Sequence, residues 1–480
     1  MTPKDLIRPV RSAGYALAAA LLAGCASVPE APMTPATVVS SGPVFPALPG
    51  GPAPASAWWT GFDDPDLQQL VEKALAASPV LRGADASVDE TEALLRLALL
   101  GQSPSTATTA SATASRPAGG DDFTASGRAG LAASWELDAF GRLAAALEAA
   151  RSDRIAAREL RRDLAVSIAS ETALAYIDLR SAEARLRVAE QNAAVQAESL
   201  ALVRTLAENG RANDLDLSRA ETQYRTTLAS IPVFRAGITA ASSRLAALTG
   251  TAATFPAPGY EPGTGRIPRL TASLTSGTPE DMLRRRPDVR RAEARIASAL
   301  ALGNAARANL FPRITLNADL FGLIRDTGVA FNEDSIGLSV GPAISWAGPD
   351  LRRIYADIDA ADARTRAAAA DYEATVLDAL AEAETALSNY VTERQRRTDL
   401  EAALTSARRA LDLAQLRFGQ GLDSSLDVLD AQRTLLAAED QLAVNEAEVA
   451  RRAVRAYRSL GGIWTDEELT AFRAAQEEAP

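Results

Sequence analysis

The feature that most restricts the fold of this chain is a stretch of about 65 residues, from Gly141 to Ala207, that keeps a helical pattern without a proline. At 1.5 Å per residue, a continuous helix of this length would measure roughly 100 Å. A helix so long does not fit inside an ordinary globular domain and indicates a coiled coil or another elongated architecture. A second proline-free stretch extends from Asp350 to Arg417. We therefore predict two long helices, at about 141–208 and 350–418.

The two long helices end in similar turns, which are separated by 211 residues. Gly210 in the first turn matches Gly421 in the second, and Asp216 matches Asp427. Apolar residues spaced seven apart follow each turn, which predicts a further helix that packs along its neighbour. The chain is therefore interpreted as a duplicated helical hairpin.

Segments in which apolar or small residues alternate with other residues precede each long helix. From Thr124 to Trp135 the apolar and small residues fall on every second position, and the same alternation occurs from Ile314 to Leu320. A period of two is typical of a strand with one apolar face. Strands are predicted at about 105–116, 124–136, 313–322 and 335–346.

The N-terminus has the pattern of a lipoprotein signal peptide. Three basic residues precede a short apolar run from Tyr15 to Ala23, as in a secretory signal. The run ends in Leu22-Ala-Gly-Cys25, which resembles a bacterial lipobox and predicts cleavage of residues 1–24 and lipidation of Cys25. An ordinary buried cysteine is the alternative interpretation. Because Ala26 rather than Asp follows the cysteine, the resemblance implies an outer-membrane lipoprotein.

Composition suggests the remaining boundaries. Residues 25–57 hold the lipidated cysteine and a Pro- and Ala-rich segment that is predicted to form an extended tether. The first repeat covers 58–250, a Gly-, Pro- and Thr-rich connector covers 251–277, and the second repeat covers 278–464. The acidic residues 465–480 are predicted to form a tail. No segment after the signal peptide reaches the roughly 18 apolar residues that a membrane-spanning helix needs.

The strand count points to an oligomer. Strands of about ten residues match the hydrocarbon thickness that a membrane β-barrel spans. Four strands cannot close a barrel, however, and an open sheet edge is not tolerated in lipid. Three chains would supply twelve strands, an even number within the known range. We therefore predict a mainly α-helical chain with a membrane β-barrel, which assembles as a homotrimer with a twelve-stranded barrel and a helical tunnel.

Composition also argues against most enzyme chemistry. The chain has no His and a single Cys, which removes His-based zinc sites, the usual triad base and any internal disulfide. A net charge of −11 disfavours a nucleic-acid partner, because phosphate binding needs a basic face. We predict no catalytic residue, no metal site and no cofactor apart from a covalent lipid on Cys25.

Seven stretches spread over nearly the whole mature chain carry a family resemblance. They are Leu22-Ala-Gly-Cys25, Trp58-Trp-Thr-Gly-Phe-Asp-Asp-Pro-Asp-Leu67, Ser134-Trp-Glu-Leu-Asp-Ala-Phe-Gly-Arg142, Arg286-Pro-Asp-Val289, Phe418-Gly-Gln-Gly421, Leu426-Asp-Val-Leu-Asp-Ala431 and Leu460-Gly-Gly-Ile-Trp464. With these the chain resembles the TolC-like outer-membrane efflux family, in the lipoprotein branch that serves resistance-nodulation-division pumps.

The resemblance implies a passive exit duct for small molecules in the outer membrane of a Gram-negative bacterium, with a helical tunnel in the periplasm. The implied partners are a periplasmic adaptor protein, an inner-membrane resistance-nodulation-division pump and outer-membrane lipids. The duct of a type I protein-secretion system is an alternative with the same fold, although the lipobox and the ending at 460–464 argue against it. A structural periplasmic coiled-coil lipoprotein is a further alternative, and it predicts no strands.

The resemblance also assigns an aperture at the periplasmic tip. In that family, acidic residues ring the narrowest point of the tunnel, and the matching residues here are Asp427 and Asp430, with Asp216 as the first-repeat counterpart of Asp427. Converging carboxylates would favour cations and repel one another. Asp216 and Asp427 are explained about equally well as helix-capping residues, so Asp430 is the preferred aperture residue.

Docking of the adaptor is assigned to the turns themselves. The candidates are Gly210, Phe418, Gly421 and Asp423. Phe418 stands where relatives often carry Tyr, and Asp423 stands where some carry Arg.

Overall fold

The computed structural model describes residues 57–116, 118, 124–210, 213–251, 266–271, 274, 278–325, 335–348 and 350–462. Cys25, the signal peptide, the tether, most of the predicted connector and the acidic tail lie outside these residues.

Two similar halves follow one another along the described chain. In the first half, a short 3-10 helix (Trp58–Phe62) precedes α1 (Pro65–Ala77), α2 (Pro79–Leu100), β1 (Ser105–Ser115), β2 (Thr124–Leu137), α3 (Arg142–Glu208) and α4 (Asp214–Leu248). The second half contains α5 (Pro279–Arg285), α6 (Pro287–Ala308), β3 (Arg313–Arg325), β4 (Ile336–Ser345), α7 (Leu351–Gly419) and α8 (Ser425–Ser459). The predicted pair of long helices and four strands is confirmed. The four strands contradict the alternative of a purely coiled-coil lipoprotein.

Each long helix has two shorter partners along its length. Both α2 and α4 contact α3, while α6 and α8 contact α7 and also α3. The order across the layer is therefore α2 with α4, then α3, then α6 with α8, and finally α7. Where α8 ends, the Arg286 guanidinium at the start of α6 donates to the Ser459 carbonyl (2.6 Å), so the short partners meet there. None of the helices within the described residues is long and apolar enough to cross a membrane.

Local signals explain where the helices begin and end. Pro79 is the first residue of α2, and the Ser78 hydroxyl accepts from the Leu81 N–H (3.4 Å), as expected for an N-cap. Gly250 ends α4 with a positive φ of 67°, a conformation that glycine adopts without strain. A proline inside a helix is expected to kink or divide it, but α4 remains continuous through Pro232.

The four strands form one antiparallel sheet in the order β1-β2-β3-β4. One face is apolar: Leu131, Leu320 and Leu338 are consecutive partners across β2, β3 and β4, and all three are exposed. The other face is polar, and there the Ser134 hydroxyl lies 2.9 Å from Asn317 Oδ1. An exposed apolar face opposite a polar face is the pattern of a membrane barrel wall.

The two strand hairpins are tied to the helices by the same contact in each repeat. The indole of Trp135 donates to the Gln102 carbonyl (2.9 Å), and the indole of Trp346 donates to the Leu310 carbonyl (3.0 Å). Each bond joins the end of a hairpin to the loop before it. The duplication read from the sequence therefore extends to individual hydrogen bonds.

The ring of Phe321 lies on the polar face between two glycines. Gly130 of β2 and Gly337 of β4 are its direct cross-strand partners, and the Arg128 guanidinium lies 3.8 Å from the ring centre. A Cβ at Gly337 would overlap the ring of Phe321, whereas a Cβ at Gly341 on the same strand would meet no atom within 4 Å. The ring therefore needs a glycine beneath it.

We expect Gly337→Ala to destabilise the sheet by about 1–3 kcal/mol, because the added methyl group overpacks against Phe321. The measurement is the midpoint of thermal unfolding of the detergent-solubilised protein. Gly341→Ala is the matched control and should change the midpoint little, and Phe321→Ala should rescue Gly337→Ala. Equal effects of the two glycine substitutions would contradict this assignment.

The main core joins residues 58–77 to the middle of the long helices. Trp58 and Trp59 are buried, and Trp58 stacks on Tyr457 of α8 with ring centres 5.5 Å apart. Val71 of α1 and Val376 of α7 belong to the same cluster. The interpretation of the two tryptophans as core residues is confirmed. The segment from Trp58 to Ala77 packs on the long helices, and we call it the strap.

Candidate aperture at the helix turns

The two helix turns lie close together, at the end of the long helices away from the sheet. A small apolar cluster of Leu200, Val203, Ala220 and Leu429 joins α3, α4 and α8 beside them. The Gln432 amide of α8 donates to the Ser199 hydroxyl of α3 (2.8 Å). Because α3 is 67 residues long, the turns lie roughly 100 Å from the sheet. These two turns form one tip.

Both turns use a glycine in the left-handed region. Gly210 has φ 69° and Gly421 has φ 73°. In the second turn the Leu422 N–H donates to the Arg417 carbonyl (2.9 Å), and the Gly421 N–H donates to the Phe418 carbonyl (2.9 Å). This pair of bonds is a Schellman motif, in which glycine is favoured because it carries no Cβ. The backbone thus accounts for both glycines without any docking role.

Asp427 and Asp216 occupy helix-start positions. The Asp427 carboxylate accepts from the Ser424 N–H (3.0 Å) and the Ser424 hydroxyl (2.7 Å), which completes a capping box. In the first repeat, the Asn213 side chain accepts from the Asp216 N–H (2.9 Å). The capping interpretation is therefore confirmed for Asp427, and Asp216 lies in the matching first turn.

Asp430 is exposed, with a nearby basic partner. Its carboxylate pairs with Arg433 one turn later at 2.6 Å, and the two side chains are 61% and 73% exposed. Arg219 of α4 lines the same groove between α4 and α8. Exposed pairs of this kind are weak, so the carboxylate keeps access to solvent while its charge is partly balanced. Its role in an aperture stays a prediction.

Asp423 makes a contact that its place in the sequence does not predict. Its carboxylate accepts two hydrogen bonds from the Arg417 guanidinium, at 2.7 and 2.8 Å. These bonds hold the pKa of Asp423 below its ordinary value, and the carboxylate in turn raises the pKa of Arg417. A bidentate pair fixes orientation as well as distance. We call Arg417 and Asp423 the tip clamp, because it bridges the turn between α7 and α8.

We expect Arg417→Gln to increase hydrogen exchange at the Leu422 amide by about two- to fivefold at pH 7, a small effect because the pair is exposed. Since the pKa of Asp423 is lowered, the clamp stabilises the turn above the ordinary value near 3.8. That stabilisation is lost only as the pH falls through the lowered pKa. Exchange corrected for its intrinsic rate should therefore keep its protection from pH 7 down to 5.

Asp423→Asn is the matched variant, and adding it to Arg417→Gln should produce no further increase. Additive effects of the two substitutions would show that the residues act separately.

A family model for outer membrane efflux proteins matches residues 70–251 and 278–462. The chain belongs to the outer membrane efflux protein family. Among curated proteins, it is 30% identical to the toluene efflux pump outer membrane protein TtgF of Pseudomonas putida, over 92% of this chain and 95% of that protein. It is 29% identical to outer membrane protein OprJ of Pseudomonas aeruginosa, over 96% and 97% of the two chains.

Solved structures of outer-membrane channels share the fold of this efflux protein. The outer-membrane channel OprN matches with a TM-score of 0.80 and 35% identity, over 91% of this chain and 98% of that chain. The CmeC outer membrane channel of Campylobacter jejuni matches with a TM-score of 0.82 over 94% and 97% of the chains, and at 20% identity it shows the fold alone. The resemblance found in the sequence and the predicted fold class are therefore confirmed, and the chain is an outer-membrane efflux protein.

Proposed function

We propose that three copies of this chain form the outer-membrane exit duct of a tripartite efflux system. In this assembly a periplasmic adaptor and an inner-membrane pump deliver small molecules, and the duct conducts them passively to the exterior. The observation that carries the proposal is the sheet. Within the described chain, β1 and β4 each pair on one side only, and an unpaired edge beside an apolar face is not tolerated in lipid.

The layer of helices supports the same assembly. The order α2 with α4, α3, α6 with α8, and α7 repeats the strand order, because each strand continues one of these helices. A chain is therefore one arc of both walls, with β1 and α2 at one edge and β4 and α7 at the other. Three arcs related by rotation would close the barrel and the tunnel together.

The relatives suggest the class of cargo. Curated relatives from Pseudomonas putida are named for toluene, solvent or antibiotic efflux, so we propose small organic molecules as the transported class. The proposed duct performs no chemistry of its own. Its periplasmic end is the tip, with Asp430 as the preferred aperture residue and the two turns as adaptor-docking candidates.

Ion conduction tests this proposal. Purified mature protein should form channels in planar bilayers, with a preference for cations because the tip carries carboxylates from three chains. The measurement is the reversal potential in a salt gradient. A protein that forms no channels, or channels that prefer anions, would contradict the proposal.

We also propose that Cys25 carries the lipid that tethers the chain to the outer membrane. Cells expressing the protein and fed labelled palmitate should yield labelled protein, and Cys25→Ser should abolish the label. Ala26→Gly is the matched control, because it changes the neighbouring residue and leaves the thiol. Label retained in Cys25→Ser would contradict the proposal.

A further inference from the structure

A groove of about 580 Å³ lies between α3 and α7, with α8 along its floor. Its wall on α3 includes Ser170 and Leu174, and its wall on α7 includes Thr385 and Asn389. The volume is within the range of sites that bind small molecules. The groove lies far from the tip, because Ser170 is about 40 residues, or roughly 60 Å of helix, before the end of α3.

The floor of the groove is basic. Arg452, Arg455 and Arg458 of α8 all line it, since residues three apart share one face of a helix. Arg452 pairs with Glu448 at 3.4 Å. Among the residues that the structure describes, no carboxylate lies within ion-pair distance of Arg455 or Arg458, and both are exposed.

Among the described residues that line the groove, the carboxylate is Glu382, and it is already engaged. Glu382 of α7 accepts from the buried guanidinium of Arg286 at 2.8 Å, and Arg286 also binds Asp288. Because Glu382 contributes to this separate cluster, it does not pair with Arg455 or Arg458. The charge of Arg458 is partly offset by the carboxylate of Asp163 on α3, with which it interacts electrostatically, so the excess positive charge of the groove lies mainly on Arg455.

The groove also presents an unsatisfied hydroxyl and apolar surface. Ser170 is 1% exposed, and its hydroxyl has no hydrogen-bond partner among the described residues. A buried polar group without a partner is unusual. Leu174, Ala386 and Val454 supply apolar walls beside the arginines. Fixed cations next to apolar surface match a ligand with an anionic end and an apolar body.

In the proposed trimer, this groove faces the inside of the tunnel. The strap packs on the other side of α8: Trp58 of the strap stacks on Tyr457, and Arg455, two residues earlier, lies on the opposite face because successive helical residues turn by roughly 100°. A strap placed inside a closed ring of helices would obstruct the duct, so the strap lies outside. The opposite side, which carries Arg455 and Arg458, is then the lumen wall.

We propose that this groove binds amphipathic organic anions, meaning carboxylates or sulfonates attached to an apolar ring or chain, as they pass through the tunnel. The inference rests on the proposed function, because it needs a closed tunnel to give the groove a lumen side. Each trimer has three such grooves, and Arg455 and Arg458 hold the anionic group.

Equilibrium dialysis of 1-naphthalenesulfonate against the purified trimer in an uncharged detergent tests the proposal. The wild type should bind the probe saturably, and the double variant Arg455→Gln/Arg458→Gln should bind it at least about tenfold more weakly, because two charge-assisted contacts are lost. Arg269→Gln/Arg284→Gln is the matched control, since it removes two exposed arginines that do not line the groove. The control should bind as the wild type does.

Channel recordings separate this inference from the proposed function. Every variant should remain trimeric and conduct, and Arg455→Gln/Arg458→Gln should shift the reversal potential further toward cations. Equal probe binding by wild type and double variant, in a protein that still conducts, would overturn the anion groove alone. Equal loss of binding in the control would also overturn it, because the binding would then depend on the general surface charge. A wild type that does not conduct would overturn the duct itself.

Discussion

Replacing Arg180 with alanine should lower the free energy of unfolding by about 3–5 kcal/mol, because it breaks a buried ion network. Arg180 is 1% exposed and lies in the middle of α3. Its guanidinium binds Asp66 of the strap at 2.7 Å and the buried Glu183 at 3.0 Å. It also donates to the Tyr176 hydroxyl (2.9 Å), so its loss removes a cation from the buried Glu183 and a donor from Tyr176.

The Tyr176 hydroxyl extends this network to the start of α1. It donates to the Asp64 carboxylate at 3.0 Å, and burial together with that carboxylate raises the pKa of Tyr176 well above its ordinary value. Asp64 in turn accepts from the Leu67 N–H and caps α1 (3.0 Å). The network therefore fixes the strap on α3. Arg180→Ala should weaken the contact between the strap and α3.

Denaturation in guanidinium chloride, followed by far-UV circular dichroism, measures the effect. Arg151→Ala is the matched control: it removes an exposed arginine of the same helix that also pairs with a glutamate three residues away, and it should cost less than about 1 kcal/mol. Arg180→Met combined with Glu183→Gln should cost less than Arg180→Ala, because the buried carboxylate is neutralised together with the cation that it binds. Equal costs for Arg180→Ala and Arg151→Ala would contradict the network.

Asp430→Ala should raise the conductance of the closed channel by at least about twofold, because it removes side chains from the narrowest point of the proposed duct. The recording should be made in 1 M KCl, where screening shortens the Debye length to about 3 Å. Under that condition the loss of local cation attraction is suppressed, and conductance reports the width of the aperture.

The controls for this prediction come from the neighbours of Asp430. Arg433→Gln removes the partner of the carboxylate but leaves the carboxylate in place, so it should change conductance less. Asp427→Ala removes the capping box and should loosen the start of α8. Unchanged conductance in Asp430→Ala, with increased conductance in Asp427→Ala, would place the aperture at Asp427 instead.

The sequence predicts the architecture well because apolar residues repeat with one period in the strands and another in the helices. Alternation from Ile314 to Leu320 determines which face of β3 is apolar, and a pairing that keeps one apolar face then places Leu320 on the same face as Leu131, its partner in β2. The proline-free stretches set the length of α3 and α7. The spacing of Ser424 and Asp427 is likewise local, so the capping box was recognisable without a structure.

The remaining contacts join residues whose proximity no local sequence pattern predicts. Arg180 meets Asp66 across 114 residues, and only the packing of the strap on α3 brings them together. The tip clamp of Arg417 and Asp423 spans a turn, so its spacing of six residues matches no helical rule. The pair of Asp430 and Arg433 does follow the three-residue helical spacing, and that signal was available in the sequence.

The proposed duct requires that one chain supplies a third of a closed wall. Native mass spectrometry of the mature protein, released from an uncharged detergent, tests it most directly. We expect a complex of three chains, with dissociation to single chains only at high collision energy. A protein that leaves the detergent as a monomer would contradict it, because four strands with two open edges would then have to face lipid alone.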